Sequence, residues 1–213
     1  KGRRVGIPMW LNTCGLWVRG ILNDEYSVKA RDIHWIARRS DPMEITIPSG
    51  TCLDKVVGQD SLAARLLKGE LDAIIVPDFP AEEGIRSLLP NAKSFEQDFY
   101  RRTQVFPVSH AVIFRQSYLD KHPSAAAELF RAWCDAKKLA LEDDKDATFS
   151  NFAWVRQTLE EQRAVMGSDP WRYGITGNEK VLSTLIRYAG EQGLLQKQVT
   201  IPDLFLQLDE PRK

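Results

Sequence analysis

The sequence holds few of the residues that build disulfide scaffolds and metal centres: 3 cysteines and 3 histidines among 213 residues. Cys14, Cys52 and Cys134 are odd in number, lie far apart and form no C-x-x-C pair. A disulfide framework is therefore not expected, nor a cysteine-rich zinc site, and a reducing, cytoplasmic compartment suits the chain. His34, His110 and His122 show no H-x-x-x-H spacing, so no metal ligand set is read from the pattern. No charge of one sign dominates, with 29 Lys plus Arg against 29 Asp plus Glu, which argues against a dedicated nucleic-acid binder. No apolar run approaches the ~18 residues that a membrane span takes, so no span is expected. The opening Lys1-Gly2-Arg3-Arg4-Val5-Gly6-Ile7-Pro8 carries positive charge without a following apolar run, and is not read as a signal peptide. Neither G-x-G-x-x-G nor G-x-x-x-x-G-K-[ST] occurs, so nucleotide folds gain no support.

What is present is ordinary globular composition, 43% hydrophobic and 27% charged. A chain of this length can bury roughly 70% of its unfolded surface. The first third alternates strand and helix patterns. Arg4 to Ile7 predicts a strand closed by Pro8, and Asn12 or Thr13 caps a helix that buries Leu16, Trp17, Val18, Ile21 and Leu22. Ile33 to Ile36 predicts a second strand and Glu44 to Ile47 a weak third. Gln59 to Lys68 reads as a helix stopped by Gly69, and Leu71 to Val76 as a strand stopped by Pro77. This rhythm indicates α/β layering with parallel pairing. Residues 78–104 are mixed and turn-rich, and Val105 to Phe114 predicts a further strand. Helices follow after His122-Pro123, from Asn151 to Met166 with Gly167 as stop, and from an Asn178 cap to Gly193. Thr200-Ile201-Pro202 opens a last short turn.

Several residues could carry chemistry, each with a plainer alternative. The helix start at Thr13 offers free N–H groups and a hydroxyl to a carboxylate or phosphate, or is simply capped. Cys14 there is a nucleophile if its pKa is lowered, and a small buried thiol otherwise. Arg101 and Arg102 present two guanidinium forks suited to carboxylates, or form a solvated surface pair. His110, set among Phe106, Val108, Val112 and Ile113, is placed to exchange protons near neutral pH or to sit satisfied in a core. His34 reads as structural and His122 as a helix-start residue. Trp10 and Trp171 fall in loops; with Tyr173, the turn Asp169-Pro170-Trp171-Arg172-Tyr173-Gly174 floors an aromatic pocket or plugs two helices. Trp17, Trp35, Trp133 and Trp154 fit core faces.

Taken in order, these segments resemble the 4,5-dihydroxyphthalate decarboxylase family. The resemblance rests on Val5-Gly6-Ile7-Pro8 with Thr13, on Trp17-Val18-Arg19-Gly20-Ile21-Leu22 and on Gly69-Glu70-Leu71-Asp72-Ala73. It continues through Tyr100-Arg101-Arg102-Thr103-Gln104-Val105-Phe106-Pro107 to His110, then Asp169-Pro170-Trp171 with Tyr173-Gly174. Arg187-Tyr188 with Glu191-Gln192-Gly193-Leu194 completes it. That family is similar in turn to the type II solute-binding proteins of ABC transporters. The resemblance implies an α/β, type II periplasmic-binding-protein-like fold of two lobes with a ligand cleft. Residues 1–105 would form the second lobe, and residues 106–213 a return strand and the helical remainder of a first lobe whose start is missing.

The function implied is decarboxylation of an aromatic dicarboxylate, 4,5-dihydroxyphthalate giving 3,4-dihydroxybenzoate (protocatechuate) and CO2. The phenol is its own electron source, so no cofactor is expected. Arg101 or Arg102, with Thr13, would clamp the carboxylates; His110 would be the acid or base; Trp10, Trp171 and Tyr173 would pack on the ring. The alternative is a substrate-binding protein delivering a small aromatic carboxylate to a transporter, which would place the chain in the periplasm. The expected partner is a small aromatic carboxylate, and association into a homo-oligomer stays open.

Overall fold

The computed structural model describes residues 1–56, 58–143 and 151–208. Its contacts divide the chain into two units, Lys1–Ala92 with Ser183–Thr200, and Lys93–Leu182 with the residues from Ile201 onward.

The first unit is built on a four-stranded, all-parallel sheet in the order β3-β2-β1-β4. Its strands are β1 (Arg4–Ile7), β2 (His34–Ala37), β3 (Cys52–Lys55) and β4 (Ala73–Ile74). Val5, Gly6 and Ile7 are all buried, as a central parallel strand covered on both faces requires. Gly6 answers to close packing: a Cβ there would lie 2.7 Å from Leu71 Cδ1 and 3.0 Å from Leu62 Cδ2. The start of β1 is anchored at Arg4, whose backbone N–H and guanidinium both donate to the Asp72 carboxylate at 2.8 and 3.1 Å. Val5, Ile7, Trp10, Ile33, Trp35 and Ala37 form the core, with Trp10 set edge-on to Trp35 at 6.0 Å.

Helix α1 (Thr13–Tyr26) crosses from β1 to β2. Asn12 is its cap, accepting the Gly15 N–H on its side chain, so Thr13 is the first helical residue. The helix ends where Ser27 turns left-handed and the Ser27 and Val28 N–H groups reach back to Asn23 and Leu22. Helix α2 (Leu62–Leu67) is capped by Ser61, whose hydroxyl accepts the Ala64 N–H at 3.0 Å.

The α/β class with parallel pairing is what the structure has, but one strand lies elsewhere than expected. Glu44 to Ile47 is irregular; Ile45 and Ile47 pack against the core without joining the sheet. The strand on that side is β3, Cys-Leu-Asp-Lys, which is largely exposed at the sheet edge and has no apolar run to announce it.

The second unit is helical, with α3 (Ala92–Thr103), α4 (Gln116–Leu119), α5 (Ala125–Asp143), α6 (Val155–Met166), the start of α7 (Glu179–Glu191) and α8 (Ile201–Leu204). The region read as turn-rich thus contains α3, which buries Phe99 and ends where Gln104 takes a φ of 55°. The strand expected over Val105 to Phe114 is absent: this stretch is irregular, with Val105 buried but Val112 and Ile113 exposed. An extended segment needs a neighbouring ladder, none of the described strands pairs with it, and Pro107 removes a donor. Trp133 and Trp154, expected in the core, are exposed by 49% and 73%. Among the described residues, no helix is long and apolar enough to cross a membrane.

Candidate functional site

In an open parallel sheet, ligands bind outside the carboxyl ends of the strands where the strand order reverses. The chain here builds outward from β1 to β2 and β3, then returns to lay β4 on the other side of β1, so the reversal falls between β1 and β4. Beyond the ends of these strands lie the Pro8–Asn12 turn with the first turn of α1, and Ile75–Pro77. Cys14 ties the two together, its thiol donating weakly to Val76 O at 3.8 Å. Thr13 sits at this position, half-buried, where the N–H groups of a helix start have no helical carbonyl to meet. Burial pushes the Cys14 thiol above its ordinary pKa, against the pull of Arg19. Cys14 is therefore a protonated thiol near neutral pH, which favours the plainer of its two readings.

Arg19, part of the Trp17–Leu22 segment, is a residue of this region to which the sequence assigned no role. Its side chain is 2% exposed. Its Nε donates to Gln192 Oε1 at 2.5 Å and its Nη2 to Trp10 O at 2.7 Å. The guanidinium lies 4.0 Å over the Trp10 ring. Nη1 is buried and has no hydrogen-bond partner among the described residues. A Cβ at Gly15 would come within 3.0 Å of Nη1, so this unspent donor lies against the first turn of α1. Burial pulls the Arg19 pKa down to about 9, partly offset by the nearby Asp41 carboxylate. It remains a cation at neutral pH. Asp41 itself accepts the Leu11 N–H at 2.7 Å, just ahead of the helix. The beginning of α1 thus gathers a helix start, a buried cation and one carboxylate.

The second unit holds its own cluster. Trp171 meets Phe106 edge-on at 5.0 Å, and Trp133 lies 6.1 Å from Tyr173. Lys137 on α5 fastens the turn: its ammonium donates to Asp169 Oδ2 at 2.7 Å and Trp171 O at 3.0 Å, and lies 4.5 Å from the Tyr173 ring centre. The Asn178 amide donates to Arg172 O and Gly174 O, both at 3.0 Å, closing the same turn from the start of α7. Trp171 and Tyr173 remain 56% and 37% exposed. The arrangement is an aromatic surface fixed by a cation whose own charge is met by Asp169.

The residues singled out in the sequence separate accordingly. Trp10, expected to pack on a ligand ring, is a core residue with 0% exposure whose indole N–H donates to Gln192 O at 3.1 Å. Its place in a loop concealed this, because the partner comes from the far end of the chain. Arg101 is exposed on the last turn of α3, paired with Asp98 at 2.7 Å. Arg102 is its exposed neighbour. His110 is exposed on the irregular stretch that follows. His34 lies in β2 and bonds Asp54 at 2.7 Å. Lys137 and Arg19 were missed because a lone cation inside a helix carries no spacing signal; only the fold shows what each reaches.

No family model matches the chain. A 4,5-dihydroxyphthalate decarboxylase of Comamonas testosteroni is 28% identical over 218 residues, covering 96% of this chain and 66% of the relative. A 4,5-dihydroxyphthalate decarboxylase of Pseudomonas putida is 30% identical over 87 residues, 38% of this chain and 34% of that protein. The chain thus spans just under two thirds of the length of the first. Along nearly its whole length this chain is similar in sequence to the first of these 4,5-dihydroxyphthalate decarboxylases, and over a shorter stretch to the second.

Proposed function

We propose that the protein is a carboxy-lyase acting on an aromatic dicarboxylate, converting 4,5-dihydroxyphthalate to 3,4-dihydroxybenzoate and CO2 in the cytoplasm, on a type II periplasmic-binding-protein-like fold. The observation that carries this reading is the relationship, over 96% of the chain, to a protein of that name. The transporter alternative is less favoured, since both relatives are named decarboxylases.

The chemistry asks for three things. The carboxylates must be held, the ring carbon that loses CO2 must receive a proton, and the departing carboxylate must shed its charge in less polar surroundings. Thr13 and the N–H groups of the α1 start suit one carboxylate, with Arg19 behind them as a buried source of positive potential. In the second unit, the guanidinium groups of Arg101 and Arg102 are the candidates for holding a carboxylate. Trp171 and Tyr173 offer the ring a flat apolar surface, and Lys137 holds that surface in place. The para hydroxyl pushes electrons toward the ring carbon that bears the leaving carboxylate and His110 delivers a proton to that carbon; the C–C bond then breaks, its electron pair returning to the ring as CO2 departs. Trp10 serves this reading indirectly, as the face on which Arg19 rests.

The test is direct. The purified protein, in the full length its gene specifies, is incubated with 4,5-dihydroxyphthalate while products are separated by chromatography. Appearance of 3,4-dihydroxybenzoate supports the proposal; unchanged substrate with well-folded protein rejects it. His110→Gln should lower kcat by roughly 10²-fold or more with a much smaller change in KM. Equal losses in turnover and binding would remove His110 from the proton-transfer role.

A further inference from the structure

The sheet edge brings together three side chains that the sequence keeps apart. His34 opens β2, Cys52 opens β3 as its register partner, and Asp54 follows two residues along β3 on the same face. The His34 Nε2, Cys52 Sγ and Asp54 carboxylate oxygen all lie within 4.8 Å of one another. His34 Nε2 already stands 2.7 Å from Asp54 Oδ2, within hydrogen-bond distance. Cys52 is free and exposed.

We propose that these three residues bind a zinc ion. Zinc takes imidazole nitrogen at about 2.0 Å and thiolate sulfur at about 2.3 Å, so tetrahedral ligand atoms stand roughly 3.3–3.8 Å apart. The observed group, with its three ligand atoms within 4.8 Å of one another, stands close to that spacing. The ion takes the place of the hydrogen bond between His34 and Asp54, and the Cys52 thiol releases its proton on binding. A nitrogen, a sulfur and an oxygen donor select zinc over magnesium or calcium, which want oxygen only. Two ligands come from one strand and one from its neighbour, so the ion would cross-link the edge strand β3 to β2. Because Cys52 and Asp54 face solvent, the fourth position is open to water or to a ligand from outside.

The C-x-D of β3 and the distant His34 form no recognised metal motif, which is why the spacing of histidines gave no hint of this site. It is independent of the decarboxylase reading, since none of the three residues belongs to the machinery assigned above.

The test uses cobalt(II) as a coloured substitute for zinc, titrated into the full chain. The expected result is a thiolate-to-cobalt charge-transfer band that saturates at one equivalent and is bleached by added zinc. Cys52→Ser should abolish the band, whereas Cys14→Ser and Cys134→Ser should leave it intact. His34→Gln and Asp54→Asn, at surface positions that leave the core untouched, should each weaken cobalt binding about tenfold or more while the circular dichroism stays unchanged. Absence of the band, its survival in Cys52→Ser, or undiminished affinity in both His34→Gln and Asp54→Asn would overturn the proposal.

Discussion

Gly20 sits in the middle of α1, where alanine would ordinarily improve a helix by up to about 1 kcal/mol. Here the expected sign is the opposite. A Cβ at position 20 would stand 2.2, 2.3 and 2.4 Å from three ring carbons of Tyr188. Carbon atoms prefer roughly 3.5–4.0 Å, so the ring or the helix behind it must yield by more than an ångström. The ring is poorly able to do so. It is 1% exposed, set edge-on to Trp17 at 5.7 Å, and its hydroxyl donates to Asp24 Oδ2 at 2.7 Å. Overpacking of this kind costs about 1–3 kcal/mol, and the upper end applies where the neighbour is pinned on two sides. After the propensity gain, Gly20→Ala should destabilise the protein by about 2 kcal/mol. Gly190→Ala in α7 is the matched control, because its Cβ would meet nothing nearer than Leu195 Cδ1 at 3.9 Å. That change should be neutral or stabilise by about 0.5 kcal/mol. Urea unfolding measures both, as shifts of the midpoint at constant slope. A Gly20→Ala midpoint equal to or above that of the parent would refute the reasoning.

Arg19→Ala should cost about 3 kcal/mol, since it strands Gln192 Oε1 and Trp10 O in the core; a loss below about 1 kcal/mol in the same titration would contradict the network. Asp24 is held below the usual carboxylate range, first by its hydrogen bond from Arg187 and then by that from Tyr188. A depressed carboxylate contributes stability above its unfolded pKa of about 3.9 and loses it as pH falls through the lower folded value. The gap between the parent and Asp24→Asn, about 1 kcal/mol for this partly exposed pair, should therefore be level from neutral pH to about pH 4 and narrow below it. A gap that persists unchanged into acid would show that Asp24 acts by shape and not by charge. Lys137→Met should loosen the Asp169–Gly174 turn, read as faster hydrogen exchange of its amides with that of α1 unaltered; unchanged exchange would mean that the turn is held by its aromatic contacts alone.

Much of the first unit was legible in the chain itself. Val5-Gly6-Ile7 between Arg4 and Pro8, the cap at Asn12 or Thr13 and Gly69 after α2 are local signals, and each depends on neighbours within four residues, although α2 starts at Leu62 behind its Ser61 cap and not at Gln59. For the same reason Gly167 was readable as the end of α6. The motifs at Trp17–Leu22 and Arg187–Leu194 were likewise visible, and they pointed to the relatives.

What those motifs do was not visible, because their partners lie more than 160 residues away. Arg19 meets Gln192, Gly20 makes room for Tyr188, and Asp24 joins Arg187 and Tyr188. Residues of these two motifs thus seat the end of α7 on α1. Edge strand β3 escaped notice because exposure frees it from the apolar pattern by which strands are recognised, and the run at Val105–Phe114 misled because such a pattern, without a ladder to join, does not make a strand. The same holds for chemistry. Thr13, Arg101, Arg102, His110 and the Trp171 turn could be named from residue type alone, while the Arg19 cluster, the Lys137 clasp and the His34–Cys52–Asp54 group could not. Local sequence sets the backbone's short-range choices through sterics and hydrogen bonding. Which side chains meet is decided by register and helix packing, whose energies are summed over contacts between segments distant in the chain.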